Sequence, residues 1–289
     1  MGKINYNVNV CDRIADELII HLTKDCPNSC SFCIDRSNKF VQHGSPNFDE
    51  IKKTYFNYKD KVSNVVITGG EPLLYINEVL ELVEFIKANS SNEVVIDTSL
   101  PIQCYDNPVI FNKIIGLVDG ILLSGHHYDA NIADKIRNAR SLFNREEFLK
   151  GLPFKDKFLV SINVFKPYLC EKDDILKTIM YFYNLGFNNI KLAELFERHN
   201  MYVSIDDVLG IKLKRPFAQG CSNKNVDISH LLPDFKGNLT IKKVCFIKSK
   251  NLSPNFWDII KILTRTLLYK KTYFFGVIHP DGNIYPYWV

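Results

Sequence analysis

Apolar and polar positions alternate in two distinct rhythms over the first two thirds of the chain. Short apolar runs of strand character occur at "ELIIHLT" (17–23), "NVVITGG" (64–70), "EVVIDTS" (93–99), "GILLSG" (120–125), "FLVSINVF" (158–165) and "NIKLAELF" (189–196). Between them lie segments with helical spacing: 47–59, 76–89, 108–118, 130–143 and 172–186. In residues 76–89, Ile76, Val79, Leu80, Val83 and Ile86 recur at the three- and four-residue steps that place them on one helix face. Asn47 is a candidate cap at the start of the first helix, and Gly186 at the end of the last. Strands and helices alternating with short loops predict a parallel sheet, and right-handed crossovers curl it. The expected fold is α/β: a partial (β/α)6 barrel of parallel strands with a mixed α+β C-terminal extension.

Alternation within a strand also assigns faces. In "FLVSINVF", Val160, Ile162 and Val164 share one face, and Ser161, Asn163 and Phe165 the other. The first set suits a helical layer, so Asn163 is expected in the lumen. Ser124 and His126 likewise share a face. Lys191 and Glu194 are three apart, so only one of them can line the lumen. The last third is less regular. Residues 215–225 look like loop, 238–247 and 273–278 like strands around a helix near 255–269, and Asp281-Gly282 signals a hairpin turn.

Composition changes the picture little, with a mild net charge of +4. No apolar run of about 18 or more residues occurs, and the N-terminal stretch is polar. Neither secretion nor membrane insertion is therefore expected, and the expected compartment is the cytoplasm. From Lys236 to Lys271 nine basic residues face a single acid, Asp258. That run reads as a solvated face, or as a surface for an anionic partner such as nucleic acid.

The chemistry is concentrated in the cysteines. There are eight, which in a chain with no secretory signal argues against a disulfide framework. Three of them, Cys26, Cys30 and Cys33, fall within "DCPNSCSFC" directly after the first strand. Thiolates at this density read as metal ligands. A three-ligand site leaves a coordination position open, as catalytic sites do and structural sites do not. A zinc site would need a fourth ligand, with His21 and His43 the candidates. The second signal is "TGGEPLL" (68–74) at the end of the second strand, where Gly69 and Gly70 allow close backbone approach and Glu71 adds a carboxylate.

Cys-x3-Cys-x2-Cys after the first strand, followed by Gly-Gly-Glu-Pro after the second, resembles the radical S-adenosylmethionine (SAM) superfamily over about residues 17–200. The layout is similar to the branch holding the molybdenum-cofactor precursor cyclase and the peptide-modifying enzymes. The auxiliary-cluster cysteine pattern of that branch is missing from the C-terminal third, and no added leader-binding domain is expected ahead of Cys26. The resemblance implies that Cys26, Cys30 and Cys33 bind a [4Fe–4S] cluster, and that SAM occupies the open iron. It further implies reductive cleavage of SAM to a 5′-deoxyadenosyl radical that abstracts hydrogen from a small-molecule or peptide substrate. An electron donor such as flavodoxin or ferredoxin is implied as partner. Matched position by position, Phe32 is implied near the adenine, Gly69, Gly70 and Glu71 at the methionine amino group, Thr98 and Ser99 at the cofactor, and Ser124 and Asn163 at the ribose or carboxylate.

"SGHHYDAN" (124–131) is the expected substrate-facing stretch, with His126, His127 and Tyr128 as candidate catalytic groups. Hydrogen bonding within the loop, and capping of the next helix by Asp129 or Asn131, is the plainer reading of the same residues. Glu197, Arg198 and His199 lie just beyond the sixth strand. Cys221 is a candidate functional thiol, and Cys11, Cys104 and Cys170 read as buried apolar thiols. The expected organisation is a core over 1–200, with 201–289 covering the barrel mouth rather than forming an independent domain. Two other readings stay open: an RNA- or nucleotide-modifying enzyme using the basic C-terminal surface, and a non-catalytic regulatory protein with a structural cluster or zinc.

Overall fold

The computed structural model describes residues 16–33, 45–139, 145–195, 200–212, 220–245 and 274–285. Its centre is six parallel strands hydrogen-bonded in chain order: β1 (Asp16–His21), β2 (Asn64–Thr68), β3 (Glu93–Thr98), β4 (Gly120–Ser124), β5 (Phe158–Val164) and β6 (Asn189–Glu194). The helices in chain order are α1 (Phe48–Tyr58), α2 (Ile76–Asn89), α3 (Ile102–Asp106), α4 (Pro108–Leu117), α5 (Ala130–Arg137), α6 (Arg145–Gly151), α7 (Lys172–Asn184) and α8 (Ile205–Leu209).

Local chemistry explains where several of these begin and end. The Asn47 side chain accepts from the Glu50 amide at 3.2 Å and opens α1. Asp129 accepts from Asn131 and Ile132 at 2.8 and 3.2 Å and opens α5. The helix expected over 130–143 stops at Arg137 because Asn138 turns left-handed, with φ 47° and ψ 44°. At the end of α7, Gly186 takes φ 94° and the Phe187 amide reaches back to the Phe182 carbonyl at 3.1 Å.

The expected α/β partial barrel is present, but its sheet is wider than six strands. Two strands of the C-terminal extension join it in parallel, β8 (Asn238–Cys245) on β6 and β9 (Phe274–Ile278) on β1. Each outer edge is closed by an antiparallel partner, β7 (Gly220–Asn225) on β8 and β10 (Ile284–Tyr285) on β9. The full order is β10-β9-β1-β2-β3-β4-β5-β6-β8-β7. The loop expectation for 215–225 is thus corrected over Gly220–Asn225. "GCSNKN" carries no apolar alternation, so its strand state rests on backbone pairing with β8 at a sheet edge. The Asp281-Gly282 turn joins β9 to β10, with Gly282 at φ 83°. The helix expected near 255–269, and most of the basic run, lie outside the described residues.

One apolar core lies between the sheet and its helices. In β5, Phe158, Val160, Ile162 and Val164 are all fully buried, while Leu159, Ser161 and Asn163 are half-buried. Ser124, Ser161, Lys191 and Thr240 are aligned partners across β4, β5, β6 and β8, so they form one row on the lumen face. Lys191 is therefore the residue of its pair that faces the lumen. Glu194 sits on the opposite face, where it accepts from the Ile205 amide at 2.9 Å at the head of α8.

Candidate active site

The cysteine loop leaves the C-terminal end of β1 and is fastened to its neighbours from several sides. The Gly70 amide donates to the Thr23 carbonyl at 2.5 Å, and the Glu71 amide to the Asp25 carbonyl at 2.9 Å. Asn28 Nδ2 donates to Ser99 Oγ at 2.7 Å, at the end of β3. The Ser29 amide donates to the Arg137 carbonyl at 2.7 Å, and Asn138 Nδ2 to Ser29 Oγ at 2.7 Å, tying the loop to the end of α5. The Phe32 ring meets Phe165 edge-on at 4.9 Å and lies 6.1 Å from His126. The loop after β1 is thus held by the ends of β2, β3, β5 and α5, on the strand face where α/β barrels place their active sites.

The glycines of "TGGEP" make the first of these contacts feasible. Gly69 has φ 146°, and a Cβ there would lie 2.6 Å from the Thr23 carbonyl oxygen. At Gly70 a Cβ would lie 2.3 Å from the Asp25 carbonyl oxygen. The backbone they approach is that of the cysteine loop itself. With the Gly70 and Glu71 amides committed to that loop, this stretch has carbonyl oxygens to offer, which suit an ammonium group rather than an anion.

Glu71 is almost fully buried, and both of its oxygens are filled. Oε1 accepts from the Leu73 amide at 3.2 Å and Thr98 Oγ1 at 2.8 Å; Oε2 accepts from the Ser99 amide at 2.8 Å and Ser99 Oγ at 2.7 Å. Burial pushes its pKa up, and the Ser99, Thr98 and Leu73 hydrogen bonds pull it back. Thr98 and Ser99, expected to contact a cofactor, spend their hydroxyl hydrogens on Glu71.

Cys26 is exposed and Cys30 and Cys33 are half-buried, and none of the three is in a disulfide. Desolvation by the protein packed around its sulfur pushes the Cys26 thiol up to about 12 even though the residue as a whole is exposed; the Asn28 backbone amide pulls it down, and Glu71, Cys30 and Cys33 push it further up. Among the described residues no three His, Cys, Asp or Glu side chains are gathered closely enough to hold a metal ion. What fits a cluster is the donor set: three soft thiol ligands on one short, fastened loop, electrostatically within reach of one another. The zinc reading loses His21, which is fully buried on β1 with its ring 6.2 Å from that of His279. His43 lies outside the described residues.

The "SGHHYD" stretch divides. His126 turns toward Phe32 with φ 70°, is 4% exposed, and has a buried Nδ1 with no partner among the described residues. Burial, then Arg145 and Arg137, bring its pKa down to about 3, so it is a neutral imidazole. His127 and Tyr128 each make one hydrogen bond in or beside the loop, and His127 Nε2 is buried with no partner among the described residues. His127 Nδ1 accepts from the Asp129 amide at 2.9 Å, and Tyr128 donates to Asp174 on α7 at 3.2 Å. These two serve the turn into α5 and its packing against α7.

Arg145 was not legible as a site residue from sequence. Its Nη2 donates to the Ser124 carbonyl at 3.4 Å, and its Nε is buried with no partner among the described residues. Burial and the neighbouring Arg137 lower it to about 10. Arg137 is 4% exposed and paired with Asp134 at 2.8 Å. Arg145 thus lies at the end of β4 beside Ser124, with the Arg137 guanidinium near enough to repel its charge. Asn163 is half-buried on the lumen face. Cys104 is a fully buried thiol, as expected, whereas Cys170 is only half-buried. Cys221 has its backbone in β7 opposite Val244, and its side chain is outside the described residues, as are Cys11 and Glu197, Arg198 and His199.

Comparison with known proteins agrees with this geometry. The model of the radical SAM superfamily matches residues 20–193, more than half of the chain. The chain belongs to the radical SAM superfamily, a family of enzymes whose cofactors are a [4Fe–4S] cluster and SAM. A curated relative, L-lysine 2,3-aminomutase of Methanococcus maripaludis, is 26% identical over 76 residues, covering 26% of this chain and 18% of that protein. Among solved structures, Streptococcus suis SuiB bound to S-adenosylmethionine superposes with a TM-score of 0.59 at 16% identity, over 95% of this chain and 60% of that one. SuiB bound to precursor peptide SuiA gives 0.60 at 15% identity over the same shares. The enzyme anSMEcpe with bound AdoMet and Cp18Cys peptide gives 0.51 at 14% identity, over 94% of this chain and 73% of that one. At these identities the likeness is one of fold. The chain spans about 60% of SuiB and 18% of the aminomutase. No helix among the described residues is long and apolar enough to cross a membrane.

Proposed function

We propose that this protein is a radical SAM enzyme acting on a peptide or small-molecule substrate, with Cys26, Cys30 and Cys33 holding its cluster. The observation that carries the reading is the joining of the cysteine loop to the Gly-Gly-Glu segment through the Gly70 and Glu71 amides, at the C-terminal ends of a parallel sheet. When bound, the cluster and SAM together supply a 5′-deoxyadenosyl radical for hydrogen abstraction.

The chain's own residues would bind and orient. Carbonyl oxygens of Gly69 and Gly70 suit the methionine ammonium. Arg145, with Nη2 on the Ser124 carbonyl and a buried Nε that has no partner among the described residues, suits the carboxylate. Phe32, braced by Phe165, offers an aromatic surface for the adenine. Asn163, Ser161 and Lys191 line the lumen that a substrate would enter, with neutral His126 near Phe32 as a hydrogen-bonding group. Peptide substrates are favoured by the fold likeness to SuiB and anSMEcpe, both solved with peptides.

The test is anaerobic reconstitution followed by iron and sulfide analysis. The reading expects about four irons per chain, and loss of the cluster in Cys26→Ala, Cys30→Ala and Cys33→Ala alike. Stoichiometric zinc, or a cluster indifferent to all three substitutions, would reject it.

A further inference from the structure

Glu71, Ser99 and Asn28 form a directed chain of hydrogen bonds that ends inside the cysteine loop. Ser99 has one hydroxyl hydrogen, and Glu71 Oε2 takes it at 2.7 Å. Ser99 Oγ can then only accept on its other side, where Asn28 Nδ2 lies at 2.7 Å. The direction follows from Asn28, whose amide nitrogen only donates, so the single Ser99 hydroxyl hydrogen is left for Glu71. Asn28 stands between Cys26 and Cys30 in the loop. Burial makes the chain rigid at its root: Glu71 is 1% exposed and its other oxygen is held by Thr98 and the Leu73 amide.

We infer that Asn28 is a positioning residue for the cluster. Anchored through Ser99 to buried Glu71, it fixes the segment between the first two ligating cysteines. Glu71 acts here as the foundation of the cysteine loop rather than as a ligand for SAM, since its carboxylate already accepts four hydrogen bonds. The chain is independent of the Gly70–Thr23 and Ser29–Arg137 contacts, which fasten the loop on either side. Breaking it would therefore leave the fold intact while loosening one ligand segment. This inference rests on the reading that the three cysteines hold a cluster.

The experiment compares wild type with Asn28→Ala, Ser99→Ala and Ser99→Thr, all reconstituted identically. Iron retention against a competing chelator and the cluster's reduction potential are measured, with melting of the apo-proteins as a control on folding. Outer partners of metal ligands typically contribute about 10- to 100-fold in metal affinity. Asn28→Ala and Ser99→Ala should retain iron that much less well and show a shifted potential, with apo melting close to wild type. Ser99→Thr, which keeps the hydroxyl, should restore both. Wild-type retention and potential in both alanine variants would overturn the inference, as would Ser99→Thr behaving like Ser99→Ala, or iron loss that merely tracks a collapsed apo melting temperature. Failure of the wild type itself to take up a cluster would instead sink the functional reading beneath it.

Discussion

His126 shows how one residue can be legible by position and opaque by state. Its place after the fourth strand marked it as a site candidate; its left-handed backbone, its burial and its two cationic neighbours emerge only in three dimensions. Arg145 and Arg137 come from different elements, and both repel a proton on the imidazole. The folded state therefore holds His126 neutral down to about pH 3, whereas in the unfolded chain it protonates near 6.5. Stability is complete above about pH 6.5 and is lost as pH falls toward about 3, because the unfolded chain takes up the proton first. His127 and His279, whose burial also lowers them, act with the same sign. His126→Asn, which tolerates the left-handed backbone, should flatten the acid limb by up to about 1.4 kcal/mol per pH unit in denaturant titrations between pH 6 and pH 4. An unchanged acid limb would show that His126 is solvated. Sequence alone could not separate His126 from His127, because periodicity fails where the strand ends and the backbone turns.

At the level of elements, the decisive feature is that two loops, after β1 and after β2, are built as one unit. The Gly-Gly pair was expected to let a ligand approach; the structure shows that it lets the cysteine loop approach. The motif was readable from sequence, but the neighbour it serves was not, since that neighbour lies more than 40 residues away along the chain. Gly70→Ala would force a methyl group against the Asp25 carbonyl, where backbone on both sides must give way. The expected cost is about 1–3 kcal/mol in chemical denaturation, the usual range for overpacking, together with reduced cluster occupancy. A variant as stable and as iron-rich as wild type would mean that the two loops are not coupled. Helix starts and stops were more legible, because Asn47, Asp129 and Gly186 act within a few residues of their own position.

For the whole molecule, the six-strand parallel core could be read directly from alternating runs, as each strand is followed by its own helix. The outer strands were harder. Segment 220–225 is polar and pairs at an edge, so no apolar rhythm announces it, and the attachment of β9 beside β1 joins the two ends of the described chain. Long-range pairing of that kind leaves no local trace. The same geometry brings the cysteine loop, the Glu71 carboxylate, Arg145 and the lumen row of Ser124, Ser161 and Lys191 to one mouth. The central claim is that this mouth performs radical SAM chemistry, and it is tested most directly by supplying reconstituted protein with SAM and a strong reductant, then quantifying 5′-deoxyadenosine. The account predicts its release from wild type and none above background from Cys30→Ala. A wild-type protein that carries its cluster, binds SAM and still releases no 5′-deoxyadenosine would contradict it.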